Sequence, residues 1–307
     1  MIKTPTLFIL GAGASAPFGY PTGGKLRNEI CSSLNVNRLI KLLNSAPSLN
    51  PLAFRSEDLV KKFVGDFHSS GSYSIDAFLE RRKEYMAIGK KAIAMILKRY
   101  ETTSNLFEQQ ENWYMYLFNR IKNCSFNDFG KNKISFITFN YDLSLEQFIS
   151  KSLQSFYGKQ EGSVRQILQN IPIVHLYGKI NSDPYDEADS NLLKVISNAE
   201  KNLKLIKDER TNENEGKNIT EEFQKAHSLI EKAENIYFLG FGFDETNLER
   251  LNIRLMKNKN IRYTAKGIED SRELWIHKQF SEAGANQNLY STPIDCIGIL
   301  QKYLVFE

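Results

Sequence analysis

The stretch Leu7-Phe8-Ile9-Leu10-Gly11-Ala12-Gly13-Ala14-Ser15-Ala16-Pro17-Phe18-Gly19-Tyr20-Pro21-Thr22-Gly23-Gly24 decides how the chain is read. Leu7 to Leu10 is an apolar run too short for a helix and suited to a buried strand. It breaks into two glycines, two alanines and a serine. Glycine permits a tight turn and lets a ligand approach the backbone closely. A strand that ends in such a loop and enters a helix aims backbone N–H groups at an anion, usually a phosphate. The helix is expected after Pro21-Thr22, along Lys25-Leu26-Arg27-Asn28-Glu29-Ile30. A nucleotide pyrophosphate site is therefore expected near the N-terminus.

Two familiar phosphate loops do not fit. A dehydrogenase loop has G-x-G-x-x-G and an acidic residue closing a second strand about 20 residues on. Gly11 and Gly13 match, but Ala16 holds the third position and Glu29 lies in a helical context. A Walker A loop needs Gly-Lys-Ser/Thr, and Gly24-Lys25 is followed by Leu26.

The 307 residues suit one α/β domain with insertions. A hydrophobic content of 41% is enough for a sizeable core. A net charge of +4 is too balanced to imply nucleic acid, and no direct nucleic-acid binding is expected. No apolar run approaches the roughly 20 residues that span a bilayer. Lys3, the apolar stretch and Ala14-Ser15-Ala16 imitate a signal peptide, but the glycines interrupt the apolar part, so that reading is rejected. Three separated cysteines, Cys31, Cys124 and Cys296, suggest a reducing cytoplasm and neither a disulfide framework nor a zinc site.

Further along, strand character is concentrated at 133–139, 171–174, 235–239 and 261–265, with helical segments between. That rhythm predicts a Rossmann-like α/β fold, a mostly parallel sheet wrapped by helices. A helical insertion is expected at about 31–130 and a second, polar one at about 181–232, all within a single domain spanning 1–307. Within the first, Ser74 reads as the N-cap of a helix. Glu84 to Arg99 and Glu108 to Lys122 read as amphipathic helices, the latter with Trp113, Tyr114, Tyr116, Leu117 and Phe118 packed on the domain. Asn50-Pro51 reads as a turn and Glu209 to Asn218 as a mobile loop.

Four strand ends carry small or polar residues: Gly11 to Ser15, Thr138 to Asp142, His175 with Gly178, and Gly240 to Asp244. In open α/β sheets ligands bind outside the carboxyl ends of the strands, so these should share one crevice. Each also has a plain structural reading. Asn140 could be a turn residue, Asp142 and Ser15 helix caps, His175 a hydrogen-bonded core residue, and Gly240 with Gly242 a tight turn.

The ordered set Gly11-Ala12-Gly13-Ala14-Ser15, Thr138-Phe139-Asn140-Tyr141-Asp142, His175 to Gly178 and Gly240-Phe241-Gly242 resembles the sirtuin fold. It is most similar to the sirtuin-like NADase domains of bacterial anti-phage defence systems, over roughly 1–30 and 131–270. Gly19-Tyr20-Pro21-Thr22-Gly23 and Asn235 to Leu248 add to the likeness. Two departures bear on activity. Deacetylating sirtuins usually carry a zinc ribbon of two cysteine pairs, and this chain has one cysteine after His175 and no C-x-x-C. Their arginine after the first loop is replaced by Pro21-Thr22-Gly23.

The resemblance implies cleavage of the nicotinamide–ribose bond of NAD+, giving ADP-ribose and nicotinamide, with no metal. It implies that Asn140 and His175 are catalytic, Asn140 fixing the ribose hydroxyls and His175 acting as base from a pKa of about 6.5. Gly11, Ala12, Gly13, Ser15, Thr22, Asp142, Gly240, Gly242 and Asp244 would bind the dinucleotide. The alternatives are an NAD-dependent protein deacylase and a non-catalytic subunit that binds NAD or ADP-ribose. An NADase would be gated. The expectation is a cytoplasmic homo-oligomer with a separate ATPase or sensor encoded nearby.

Overall fold

Six strands build one sheet: β1 (Thr6–Leu10), β2 (Ile134–Thr138), β3 (Ile173–His175), β4 (Asn235–Leu239), β5 (Asn260–Thr264) and β6 (Tyr290–Thr292). The computed structural model describes residues 1–45, 56–110, 112–181, 191–204, 220–285, 290–292 and 294–304. The turn expected at Asn50-Pro51 and the loop expected over Glu209 to Asn218 lie outside the described residues. The spatial order is β3-β2-β1-β4-β5-β6, and every neighbouring pair is parallel. The fold is Rossmann-like. The chain leaves β1 towards β2 on one side and returns to β4 on the other, so the carboxyl ends of β1 and β4 form the switch point where such sheets bind ligands.

All five residues of β1 are buried, as expected for a central parallel strand covered on both faces. The side chains alternate. Phe8 and Leu10 join one core with Phe136, Tyr237 and Leu239, while Leu7 and Ile9 join the other with Ile137, Ile236 and Phe238.

The first face is covered by α1 (Ala12–Ser15), by α2 (Gly23–Cys31), the helix expected after Pro21-Thr22, and by the helices of the expected insertion: α3 (Ser33–Ser45), α4 (Ser56–Ser69), α5 (Ile75–Arg81), α6 (Met86–Lys98), α7 (Thr103–Phe107) and α8 (Trp113–Ile121). After β2 come α9 (Ser144–Tyr157) and α10 (Glu161–Leu168), and after β3 come α11 (Leu192–Asn202) and α12 (Glu221–Lys232). The second face is covered by α12, α13 (Glu245–Leu251) and α14 (Asp270–Glu282), and α15 (Cys296–Tyr303) packs on the first.

Ser74 caps α5, its hydroxyl accepting from Ala77 N at 3.2 Å. The helix expected from Glu84 differs in character. It is buried along Lys91 to Leu97, because α11 covers the side a lone amphipathic helix would leave to water. The aromatic helix starts later than expected, at Trp113. Asn112 caps it, and the preceding residues form α7 and a connection. Its Trp113 Nε1 donates to Ala14 O at 2.8 Å and its Tyr114 ring stacks on Phe18 at 4.1 Å, so the insertion braces the glycine turn.

Two glycines at the switch point separate cleanly. Gly240 has φ +57, and a Cβ there would lie 2.0 Å from Ala14 N. Gly242 faces open space. Gly240→Ala should cost about 3 kcal/mol or more, from left-handed strain plus backbone displacement, while Gly242→Ala should stay within about 0.5 kcal/mol. Thermal unfolding of the two variants checks this. Equal midpoints would show that the turn relaxes freely.

Candidate functional site

The glycine turn is held against the end of β4 by its own backbone. Gly11 N donates to Leu239 O at 3.0 Å, Gly13 N to Gly240 O at 2.9 Å, and Ala14 N to Gly11 O at 2.9 Å. Gly240 N in turn donates to the Thr264 hydroxyl at 2.8 Å. The expectation of a row of free amides is therefore corrected. Three of them serve the turn, and the glycines are needed for backbone contact between β1 and β4. The amide of Ala12 has no partner among the described residues. The helix that follows is only four residues, so little helix dipole supports an anion there.

Asn140 lies beside this turn although 129 residues separate it from Gly11. Its backbone N donates to the Thr138 hydroxyl at 3.0 Å, which bends the chain away from β2. Its Nδ2 donates to Gly11 O at 2.9 Å and to Ser15 Oγ at 3.0 Å. Both bonds use the amide nitrogen. Oδ1 accepts from none of the described residues, which leaves a fixed acceptor on a largely buried side chain.

His175, the last residue of β3, is joined to Asn140. Its Nδ1 lies 3.0 Å from Asn140 O and its Nε2 lies 2.7 Å from Glu146 Oε1. A carbonyl oxygen only accepts, so Nδ1 carries a proton, and a carboxylate facing Nε2 calls for a second one. Burial disfavours the charged imidazole, but the Glu146 charge and hydrogen bond outweigh it and raise the His175 pKa. Burial likewise pushes Glu146 up, and His175 more than offsets this, holding it below the usual carboxylate range. The pair is an imidazolium–carboxylate ion pair. Both ring nitrogens are engaged, as the plain structural reading of His175 has it, the imidazole holds the Asn140 backbone, and its pKa is raised from the ordinary 6.5.

Asp142 turns the chain into α9. Its Oδ1 accepts from Ser144 N at 3.1 Å and from the Ser144 hydroxyl, which also lies 2.7 Å from Tyr114 OH. Burial raises the Asp142 pKa, with the Ser144 and Ser15 hydroxyls pulling it back. Gly11, Gly13, Ser15, Asn140, Asp142, His175 and Gly240 are thus brought together through hydrogen bonds, with Ala12 inside the same turn. Thr22, Gly242 and Asp244 are exposed and outside this network. Thr22 precedes α2 with no side-chain capping bond. Asp244 caps α13, accepting from Asn247 N at 3.2 Å. They line the crevice only if a ligand reaches them.

A second polar cluster was missed by sequence reasoning. The Tyr177 hydroxyl donates to Asn247 Oδ1 at 2.5 Å and accepts from Arg250 Nη1 at 2.7 Å. Arg250 Nη2 reaches Glu80 Oε1 at 3.1 Å, and the Tyr141 hydroxyl donates to Asp76. The Phe139 ring bridges to Tyr177 and Phe241 at 5.7 and 5.0 Å. The available signal was helical spacing: Asp76 with Glu80 on α5, and Asn247 with Arg250 on α13, each share one face.

Asp76 gives this cluster a pH signature. Burial lifts its carboxyl to about 6, against the Tyr141 hydrogen bond. The folded state therefore binds this proton more tightly than the unfolded chain, whose value is 3.8. Stability from this group is complete at low pH and is lost as pH rises from 3.8 through about 6. Asp76→Asn removes that loss. Its stability relative to the parent should improve by about 3 kcal/mol between about pH 4 and about pH 8, two units at about 1.4 each. Urea unfolding at the two pH values measures this, and a parallel pH dependence in both proteins would refute it.

Among the described residues, no group of three or more His, Cys, Asp or Glu is placed to hold a metal ion, and no helix is long and apolar enough to cross a membrane. The strand order and the glycine turn at its switch point define the chain as an α/β protein of Rossmann-like architecture. No protein-family model and no curated protein matches it.

Proposed function

We propose that the protein is an NAD+ glycohydrolase, cleaving the nicotinamide–ribose bond to give nicotinamide and ADP-ribose. The observation that carries this reading is Asn140, whose Nδ2 is fixed by Gly11 O and Ser15 Oγ beside the switch point while Oδ1 stays open as an acceptor. A ribose hydroxyl donating to Oδ1 would be oriented without reorganising the protein, the condition under which positioning lowers a barrier most. The departing nicotinamide leaves as a neutral pyridine from a cation, so the transition state is oxocarbenium-like and needs orientation more than acid assistance.

In this reading the Ala12 amide and the turn seat the pyrophosphate. His175, charged against Glu146, holds the Asn140 backbone and is a positioning residue. Asp142, whose buried carboxyl has a raised pKa, binds the ribose or nicotinamide end of the dinucleotide, and the attacking water loses its proton to solvent. An NAD-depleting activity harms its own cell. The reading therefore includes gating, through self-association or a separate ATPase or sensor, as in the defence proteins that the motifs resemble.

A non-catalytic NAD- or ADP-ribose-binding subunit is the second reading, favoured by one observation: His175 offers no free ring nitrogen. Incubation of the purified chain with NAD+, alone and with the product of the neighbouring gene, separates the two. Release of equimolar nicotinamide and ADP-ribose supports the glycohydrolase. Tight binding without product under both conditions supports the subunit, and 2′-O-acyl-ADP-ribose from an acylated peptide would instead make it a deacylase.

A further inference from the structure

A cavity of about 400 Å³ opens on the β3 edge of the sheet, lined by Lys179, Lys201, Lys204, Lys225, Glu222 and His175 among others. Its size falls within the range of small-molecule sites, about 300–1,000 Å³. Its floor is built. Gly178 adopts φ +73, and a Cβ there would lie 2.1 Å from Asn202 O, so the turn after β3 is pressed against the end of α11. Lys179 N donates to Asn202 O at 3.2 Å and Lys204 N to Tyr177 O at 2.8 Å, which fixes where two of the lysines begin.

The charge on this wall is one-sided. Lys204 pairs with Glu222, and Lys225 with Glu221 at 2.6 Å. Lys179 and Lys201 form no ion pair among the described residues. Of the four lysines, two are matched by Glu222 and Glu221 and His175 is matched by Glu146, so Lys179 and Lys201 carry the uncompensated charge of the wall. Ammonium groups are compact point charges suited to phosphate oxygens. We propose that this cavity is a second ligand site, taking a phosphate-bearing small molecule of nucleotide size. The assignment is independent of the glycohydrolase reading. It would give that reading an effector site, because His175 joins the cavity wall to Asn140 by a 3.0 Å bond.

Lysine acetylation of the full chain, quantified residue by residue with and without inorganic pyrophosphate, tests the site without reference to NAD+ turnover. Lys179 and Lys201 are expected to react at least threefold more slowly with pyrophosphate, and Lys204 and Lys225 to be slowed as well, while the exposed Lys278 on α14 is unchanged. Lys25 on α2, the helix that follows the glycine turn in the chain, serves as a second comparison lysine. In Lys179→Gln/Lys201→Gln, which alters only partly or fully exposed side chains, the protection of Lys204 and Lys225 should disappear. Unchanged rates at Lys179 and Lys201, protection confined to Lys25, or equal slowing at Lys278 would each overturn the proposal. A chain that protects these lysines but never cleaves NAD+ would count against the glycohydrolase alone.

Discussion

Asn140→Ala is expected to lower NAD+ turnover by about a hundredfold or more at saturating substrate, measured as nicotinamide release. The substitution removes the acceptor that orients the ribose and both bonds that Asn140 makes to the glycine turn. Gly11 O and Ser15 Oγ lose their donor, which should cost about 1–3 kcal/mol of stability. That cost leaves most chains folded at assay temperature, so a thermal melt and a rate can be read from the same preparation. Asn140→Asp separates the two effects. It keeps an oxygen for the ribose but cannot donate to Gly11 O, so it should lose stability yet keep more activity than alanine. Full turnover in a folded Asn140→Ala protein would remove this residue from the mechanism, and with it the observation on which the functional reading stands.

Most of the sheet was legible because parallel central strands are short apolar runs closed by small or polar residues, and β1, β2, β4 and β5 have that form. β6 was not, since Tyr290–Thr292 is three residues without an apolar run. β3 was read two residues early, at Ile171, because its observed end is His175, a polar residue that pairs with Thr138. The buried helix α6 was read as amphipathic because sequence reports its own periodicity and not the arrival of α11 on its other side.

The site divides in the same way. That the strand ends converge follows from topology, and the structure brings Gly11, Ser15, Asn140 and His175 within direct hydrogen bonding. What each group is bonded to did not follow. The Glu146–His175 contact spans 29 residues and Arg250–Glu80 spans 170, and no local pattern encodes such pairs. Hence His175 could be read either as a hydrogen-bonded core residue or, by resemblance, as a base, with its partners unnamed, and the amides of the glycine turn read as free donors.

Glu146 carries the second large effect. Truncation to alanine leaves a buried imidazole without its counter-charge, and breaking a buried ion pair in this way costs about 3–5 kcal/mol. The pH dependence gives a sharper test. The His175 pKa is raised above 6.5 in the folded state, so its stabilisation is complete below that value and is lost as pH rises through the folded pKa. The Glu146 pKa is lowered below 4.5, so its stabilisation is complete above that value and is lost as pH falls through the folded pKa. The parent chain should therefore draw most from the pair between pH 4.5 and 6.5 and lose some of it on the alkaline side. Glu146→Gln inverts the alkaline limb. With the charge gone, burial dominates and lowers the His175 pKa. Nδ1–H still donates to Asn140 O, the glutamine amide donates to Nε2, and the neutral ring is the stable form. Stability of this variant should rise with pH through the histidine range, where that of the parent falls. Urea unfolding across that range decides between them. Matching slopes would mean that His175 is already neutral in the parent, and its hold on the Asn140 carbonyl would then rest on a single neutral hydrogen bond.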